Sequence, residues 1–107
     1  MLLKENEKSA LIELKTILQA NYGLIDFKVF GSKARGEDTA ESDIDVMIEL
    51  SQVNPHIEAE INSIVFHINL KHNCFISTVI FGEEELTKGP MDQSPLYKAI
   101  EREGIQF

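Results

Sequence analysis

Two short segments carry most of the information in this sequence: GSKARG at residues 31–36 and SDID at residues 42–45. The first follows residues 24–30, whose partial alternation of apolar and polar residues predicts a β-strand, and its Gly-Ser pair breaks that strand and opens a short helical turn. The second begins another predicted strand, residues 43–50. Because only a short polar loop separates the two segments, we interpret them together.

The two aspartates of the second segment are spaced for a shared task. Asp43 and Asp45 are two residues apart in a predicted strand, so both side chains emerge from one face, while Ile44, Val46 and Ile48 point into the core. Neighbouring carboxylates repel each other, and Mg²⁺, which is typically held by one or two carboxylates and substrate phosphates, relieves that repulsion. We therefore predict that Asp43 and Asp45 are metal ligands and catalytic residues, although such a pair alone is more often an exposed strand edge.

The first segment has the features of a phosphate-binding turn. Gly31 lets the backbone approach a ligand closely, and the exposed N–H groups at the start of the turn point at an anion. The Ser32 hydroxyl can add a donor, and Arg35 can pair with phosphate charge. Each residue has an ordinary alternative, a helix-capping serine or a solvated arginine, and it is the joint occurrence with the aspartates that favours a site.

Residues 31–36 and 42–45 together resemble the signature of the DNA polymerase beta-like nucleotidyltransferase superfamily. Within it they are most similar to the minimal nucleotidyltransferases, small proteins often paired with a HEPN-domain partner. The resemblance implies transfer of a nucleoside monophosphate, with ATP as the expected donor, to a hydroxyl group, with loss of pyrophosphate. It also implies that Asp43 and Asp45 bind Mg²⁺. The implied nucleotide-binding and phosphate-binding residues are Gly31, Ser32, Arg35 and Ser42.

The remaining sequence predicts the fold around these segments. Apolar residues recur with helical spacing in two stretches, and Ser94-Pro95 marks the start of a last helix. The predicted helices cover residues 4–21, 57–71 and 94–104, and the predicted third strand covers residues 73–81. This order predicts an α/β (α+β) nucleotidyltransferase fold, a small mixed sheet of three or more strands covered by helices. We expect one domain over residues 1–107, with a core at 4–81 and a C-terminal helical tail at 82–107.

The third predicted strand departs from the superfamily pattern, which normally places a third carboxylate there. Residues 73–81 contain no Asp or Glu, and Ser77 or its neighbour Thr78 occupies the expected position, of which we favour Ser77. A neutral hydroxyl is a poor substitute for a charged ligand, and Glu49 and Glu83 are the alternative sources of a carboxylate. A carboxylate that helps to remove the proton of the acceptor hydroxyl contributes about 10²–10⁴ in rate. Because this strand has none, the sequence is compatible both with an enzyme and with a catalytically inactive domain.

Composition limits the classes of partner and location. The formal net charge is −8 at pH 7, and nucleic-acid backbones are bound through Lys and Arg, so we expect no direct nucleic-acid binding. The single cysteine, Cys74, excludes an intrachain disulfide, and its apolar neighbours favour a buried position. No apolar stretch approaches the ~18–20 residues of a membrane helix, and a signal peptide is not evident. We therefore expect no membrane association and a cytoplasmic location.

The helix predicted at residues 57–71 is apolar on two sides. Its smaller set, Ala59, Phe66 and Leu70, projects away from the main stripe and predicts contact with a HEPN-type partner or a second copy of the chain. One hypothesis is therefore a Mg²⁺-dependent enzyme that attaches AMP to a partner's hydroxyl, as the resemblance to minimal nucleotidyltransferase antitoxins implies. The alternative is a catalytically weak or inactive binding module that masks a HEPN-type partner. Action on RNA or a small molecule would need substrate-binding domains that 107 residues do not supply.

Overall fold

The computed structural model describes residues 1–37 and 42–107 of the chain. The polar loop predicted between the two signature segments falls mainly at residues 38–41 and lies outside the described residues. The helices are α1 (Glu5–Asn21), α2 (Gly31–Arg35), α3 (Pro55–His72), α4 (Glu83–Thr87) and α5 (Pro95–Glu103), with a 3-10 turn at Pro90–Gln93. The strands are β1 (Leu24–Phe30), β2 (Ile44–Leu50), β3 (Ile76–Gly82) and β4 (Ile105–Gln106).

The strands form one mixed sheet in the order β3-β2-β1-β4. β1 pairs antiparallel with β2 and with β4, whereas β2 and β3 are parallel because the long helix α3 crosses over between them. The predicted mixed sheet covered by helices is therefore confirmed, and the described part of the chain contributes four strands to it. The signature aspartates sit at the start of its second strand from the edge.

Helix ends follow capping rules that are visible in the sequence. The Asn54 side chain accepts a hydrogen bond of 2.8 Å from the backbone N–H of Ile57 and begins α3, with proline at the next position. Ser94 caps α5 in the same way, accepting from the backbone N–H of Tyr97 at 3.0 Å. Asn73 ends α3 in the left-handed conformation, with φ 53°, which delays the start of β3 to Ile76.

The sheet carries a hydrophobic core on each face. The first core packs α1 and α3 against the face that the sequence predicts to be buried, with Val46 and Ile48 fully inaccessible and Cys74 buried beside them. The second core lies on the opposite face, where α4 and α5 cover Met47. Its buried members are Phe30, Met47, Phe81, Leu86 and Ile100. Successive side chains of β2 therefore point alternately into the two cores. On the face that carries Asp45, only Asp45 and Glu49, near the two ends of the strand, remain partly accessible.

Two features of the C-terminal segment differ from the sequence prediction. Residues 83–85 form the first turn of an additional helix, α4, ahead of the predicted helix at residues 94–104, and the Glu85 carboxylate accepts a hydrogen bond from the Gly82 backbone N–H at 3.0 Å. The chain after α5 is not helical, because Ile105–Gln106 adds to the sheet beside β1. Within the described residues, no helix has the length and apolar character needed to cross a membrane.

Candidate active site

The two signature segments meet at one end of the sheet. β1 runs into α2, and Gly31, the first residue of α2, is buried with φ 73°, a left-handed conformation that glycine adopts without strain. A Cβ atom at this position would overlap the Asp45 carboxylate. Gly31 therefore allows the turn and the aspartate to be in direct contact, which ties the two halves of the signature together in space.

The surroundings of Asp45 disfavour the negative charge of its carboxylate. Asp45 is partly buried in β2, while Asp43 precedes the strand and is exposed. Burial raises the pKa of Asp45, the negative charge of Asp43 raises it further, and the positive charge of Arg35 lowers it. The two carboxylates are thus close enough to repel each other. A hard divalent cation fits this donor set, because it would offset both the lost hydration and the repulsion.

The predicted phosphate-binding residues lie on α2 and immediately before Asp43. Gly31 and Ser32 open α2, and Ser32 remains partly accessible. Ser42, also partly buried, immediately precedes Asp43. Arg35 ends α2, and its charge reaches Asp45. The structure therefore brings all the predicted site residues of both segments to one end of β2.

Ser77 lies directly beside Asp45. In the parallel pairing of β2 and β3, Asp45 is the register partner of Ser77, and on the other side its partner is Phe30 of β1. Register partners on neighbouring strands project to the same face, so a carboxylate at position 77 would stand next to Asp45. Ser77 is exposed. The described residues contain no group of three His, Cys, Asp or Glu side chains arranged to hold a metal ion.

Neither alternative acid supplies the missing carboxylate. Glu49 is on the same face as Asp45 but four residues further along β2, or about 13 Å at the rise of an extended strand. Glu83 begins α4 beyond the far end of β3, where Gly82 pairs with Leu50. Glu49 is the register partner of Phe81 and Leu50 that of Gly82, the residue before Glu83, so both acids lie at the end of the sheet away from Asp45.

Arg35 makes contacts that the sequence does not predict. Its Nε donates to Glu37 and its Nη1 donates to Glu103 of α5, each at 3.1 Å. A triphosphate that paired with Arg35 would compete with these two carboxylates. Glu103 is 68 residues away in sequence and reaches the site only because α5 packs across the second face of the sheet, so no local signal could have identified it.

The apolar side of α3 is uncovered in the single chain. Phe66 is 60% exposed and Leu70 is 68% exposed, and Ala59 is also exposed. Phe75, just before β3, is a further 68% exposed member that the sequence analysis assigned to a strand and did not single out. Phe66, Leu70 and Phe75, which we call the α3 patch, border a pocket of about 250 Å³ whose other lining residues are Asn69, Asn73 and Cys74.

Paired aspartates lie at the start of the second strand of a mixed sheet, and a glycine-serine turn packs against one of them. This arrangement is typical of nucleotide-transferring domains, and comparison with known proteins agrees. The family model for the nucleotidyltransferase domain matches residues 11–105, and the chain belongs to this family. Members of the family generally use a nucleoside triphosphate and a divalent metal ion, which matches the chemistry of the two segments.

Individual relatives resemble the chain in sequence or in fold. A Methanocaldococcus jannaschii protein, named "Putative protein adenylyltransferase", is 47% identical over 47 residues, a match that spans 44% of this chain and 47% of the relative. A solved "putative minimal nucleotidyltransferase" superposes with a TM-score of 0.63 at 19% identity, covering 94% of this chain and 91% of that one. A nucleotidyltransferase-fold structure from Sulfolobus solfataricus gives a TM-score of 0.55 at 16% identity, covering 100% and 90%. These structural likenesses show the fold.

Proposed function

We propose that this domain transfers AMP from ATP to a hydroxyl group of a partner protein in a Mg²⁺-dependent reaction. The observation that carries the proposal is the contact of the Gly31 turn with Asp45, because it joins a phosphate-binding element to a cation-binding carboxylate. The Methanocaldococcus jannaschii relative is named a "Putative protein adenylyltransferase", and this name supports both the nucleotide and the class of acceptor. The relative is matched over about half its length, so substrate and acceptor remain part of the proposal.

In this reaction the acceptor hydroxyl oxygen attacks the α-phosphorus of ATP. The bond from that phosphorus to the oxygen that bridges to the β-phosphate breaks, and pyrophosphate leaves with the bond's electrons. The hydroxyl proton is released to solvent, because Ser77 offers no carboxylate to accept it. Mg²⁺ held by Asp43 and Asp45 would supply positive charge against the phosphate oxygens. Gly31 and Ser32 would orient the triphosphate. Such positioning of the reacting groups supplies most of the rate acceleration in phosphoryl transfer.

Transfer of labelled phosphate tests this proposal. The protein is incubated with Mg²⁺ and each NTP labelled at the α-phosphate, alone and together with co-purified proteins. We expect covalent label from ATP, lost in Asp43→Ala and Asp45→Ala and retained in the matched control Asp92→Ala, which changes an aspartate of the Pro90–Gln93 turn. Absence of label from every NTP, in the presence of partners, would count against an enzyme.

We further propose, as the alternative, a binding module of low or no turnover. Two observations favour it: Ser77 stands where a third carboxylate would complete the site, and the α3 patch leaves large apolar side chains in solvent. A patch of this kind on a small domain typically marks a protein interface. The occupant in this reading is a HEPN-type partner, or a second copy of the chain.

The α3 patch can be tested separately from catalysis. Phe66→Ser with Leu70→Ser is expected to abolish a complex with a HEPN-type protein, or self-association, in sedimentation velocity experiments. Leu96→Ser, at a 46% exposed leucine on α5, is the control and should leave association unchanged. A complex that survives Asp43→Ala and Asp45→Ala but not the patch substitutions, with no label on any component, would select the binding module over the enzyme.

A further inference from the structure

A buried ion pair lies behind the candidate site. The side chain of Lys33, the middle residue of α2, is 2% exposed, and that of Glu7, in the first turn of α1, is 7% exposed. Lys33 Nζ is 3.0 Å from Glu7 Oε2 and 3.3 Å from Glu7 Oε1, so it contacts both carboxylate oxygens. Glu7 Oε1 also accepts from the backbone N–H of Lys4 at 2.9 Å. Two opposite charges are thus held together where water is excluded.

Both charges occupy positions that a core would otherwise fill with apolar residues. Glu7 is in helical register with Ala10, Leu11 and Leu14, the stripe of α1 that is fully buried. Removing two charges from water costs about as much as their attraction returns, so a buried pair is a weak source of stability. It is demanding in geometry, because a displacement of either partner leaves a buried charge unpaired.

The pair joins a rigid element to a short one. α1 has 17 residues and is anchored by its buried stripe, whereas α2 has five, too few for its own hydrogen bonds to fix its orientation. The tie lies at the same end of the sheet as Asp45. Burial, and then the charge of Glu7, raises the pKa of the Cys74 thiol, so Glu7 lies beside the chain that leads into β3. There the backbone N–H of Ile44 donates to the Phe75 carbonyl at 2.8 Å.

We propose that Glu7 and Lys33 are positioning residues for the nucleotide, which fix the height and rotation of α2 so that Gly31 and Ser32 face the triphosphate beside Asp45. This inference rests on the proposed nucleotide-binding function of the turn. Neither residue touches the nucleotide in this scheme. Their effect passes through the α2 backbone, as that of outer residues behind a ligand-binding group does.

Removal of both charges tests the proposal. Glu7→Gln with Lys33→Met keeps an acceptor for the Lys4 N–H and removes both members of the ion pair together. The matched control is Glu5→Gln with Lys8→Met, which removes an ion pair of 3.5 Å from the same helix, where the two side chains are 92% and 51% exposed. We expect Mg²⁺-ATP affinity, measured by calorimetry, to fall about tenfold in the buried double variant and to be unchanged in the control.

Hydrogen exchange gives a readout that does not depend on nucleotide. The Glu37 amide, which donates across α2 to the Ser32 carbonyl at 3.0 Å, should exchange about tenfold faster in Glu7→Gln/Lys33→Met, while amides in the middle of α1 keep their rates. A merely structural role would instead lower the melting temperature and leave the affinity of the folded protein unchanged. Wild-type affinity together with wild-type exchange in the double variant would overturn the proposal.

Two other results are possible: the double variant does not fold, or the wild-type protein binds no nucleotide. If the double variant does not fold, Glu7→Asp, which keeps both charges and shortens the acid, is expected to weaken Mg²⁺-ATP binding about threefold, and unchanged binding in it would overturn the proposal. If the wild-type protein binds no nucleotide, the proposed function of the site fails. The exchange rate of the Glu37 amide then still decides whether Glu7 and Lys33 set the geometry of α2.

Discussion

The two sides of Asp45 differ in what they bring to it. On the α2 side lie a glycine that makes room for its carboxylate, a serine and an arginine, and behind them a buried ion pair. On the β3 side its register partner is Ser77, an exposed neutral hydroxyl. In the proposed function, nucleotide binding would therefore depend on the α2 side and activation of the acceptor hydroxyl on the β3 side. The chain has several suitable residues on the α2 side but no carboxylate at Ser77 on the β3 side.

The largest expected effect on the rate of AMP transfer comes from removing the charge of Asp45, which lies between the two sides. Asp45→Asn removes a charged ligand while keeping its shape and should lower the rate of AMP transfer roughly a thousandfold, because the loss of a cation's charge against the phosphates is worth several kcal/mol. Single-turnover labelling measures the rate, and Asp92→Asn is the control. A rate within tenfold of wild type would show that Asp45 does not hold the metal.

The next largest effect should come from adding a carboxylate on the β3 side of Asp45. Ser77→Asp places a carboxylate beside Asp45 on an exposed position and is expected to raise the rate of AMP transfer about a hundredfold, within the range that help with proton removal supplies. Ser77→Asn, equal in size and uncharged, should leave the rate unchanged. Equal rates in the Asp and Asn variants would indicate that the missing carboxylate does not limit turnover.

A smaller effect is expected from damage to the α2 side. Gly31→Ala forces a side chain into a left-handed backbone conformation and against the Asp45 carboxylate, which should destabilise the fold by about 1–3 kcal/mol. Urea unfolding measures the loss, and calorimetry should show weaker binding of Mg²⁺-ATP by the folded protein. Gly36→Ala shares the positive φ, at 72°, but its added Cβ would have no atom of the described residues within 4 Å. It should therefore match Gly31→Ala in backbone strain and bind nucleotide normally, and equal loss of binding in both variants would contradict the contact with Asp45.

The smallest effect lies further along the Asp45 face and concerns pH. Burial, then the charges of Asp26 and Glu83, raises the pKa of Glu49, so the folded protein binds this proton more tightly than the unfolded chain does. The ionised carboxylate therefore opposes folding above the folded-state pKa, and this penalty disappears as the pH falls below the unfolded value of about 4.3.

Glu49→Gln is accordingly expected to stabilise the fold slightly near pH 7, because the position is partly exposed to solvent, and to have little effect near pH 3.5. Urea unfolding at both pH values measures the difference. Glu84→Gln, at an exposed residue of α4, should have no effect at either pH. Destabilisation by Glu49→Gln near pH 7 would mean that Lys28 compensates the charge of Glu49 more strongly than its neighbours repel it.

Much of the fold and of the site could be read from local patterns. The order of the main helices and strands follows from hydrophobic spacing, and the caps at Asn54 and Ser94 follow from the preferences of helix N-termini. The strand order indicated that the third strand passes near the aspartates, but only the register shows that Ser77 is the residue beside Asp45. The segment that forms β4 could not be predicted, because two residues become a strand only when the edge of β1 is available to pair with them.

The sequence by itself therefore determined the family, the signature aspartates and the absence of an acid from the third strand, because these depend on residue type and spacing along the chain. Tertiary structure alone decided that Met47 is buried under α4 and α5, that Glu103 contacts Arg35, and that Glu7 contacts Lys33. Such contacts join residues between 26 and 68 positions apart. Their formation depends on how helices pack on both faces of the sheet, which no local pattern of residues specifies.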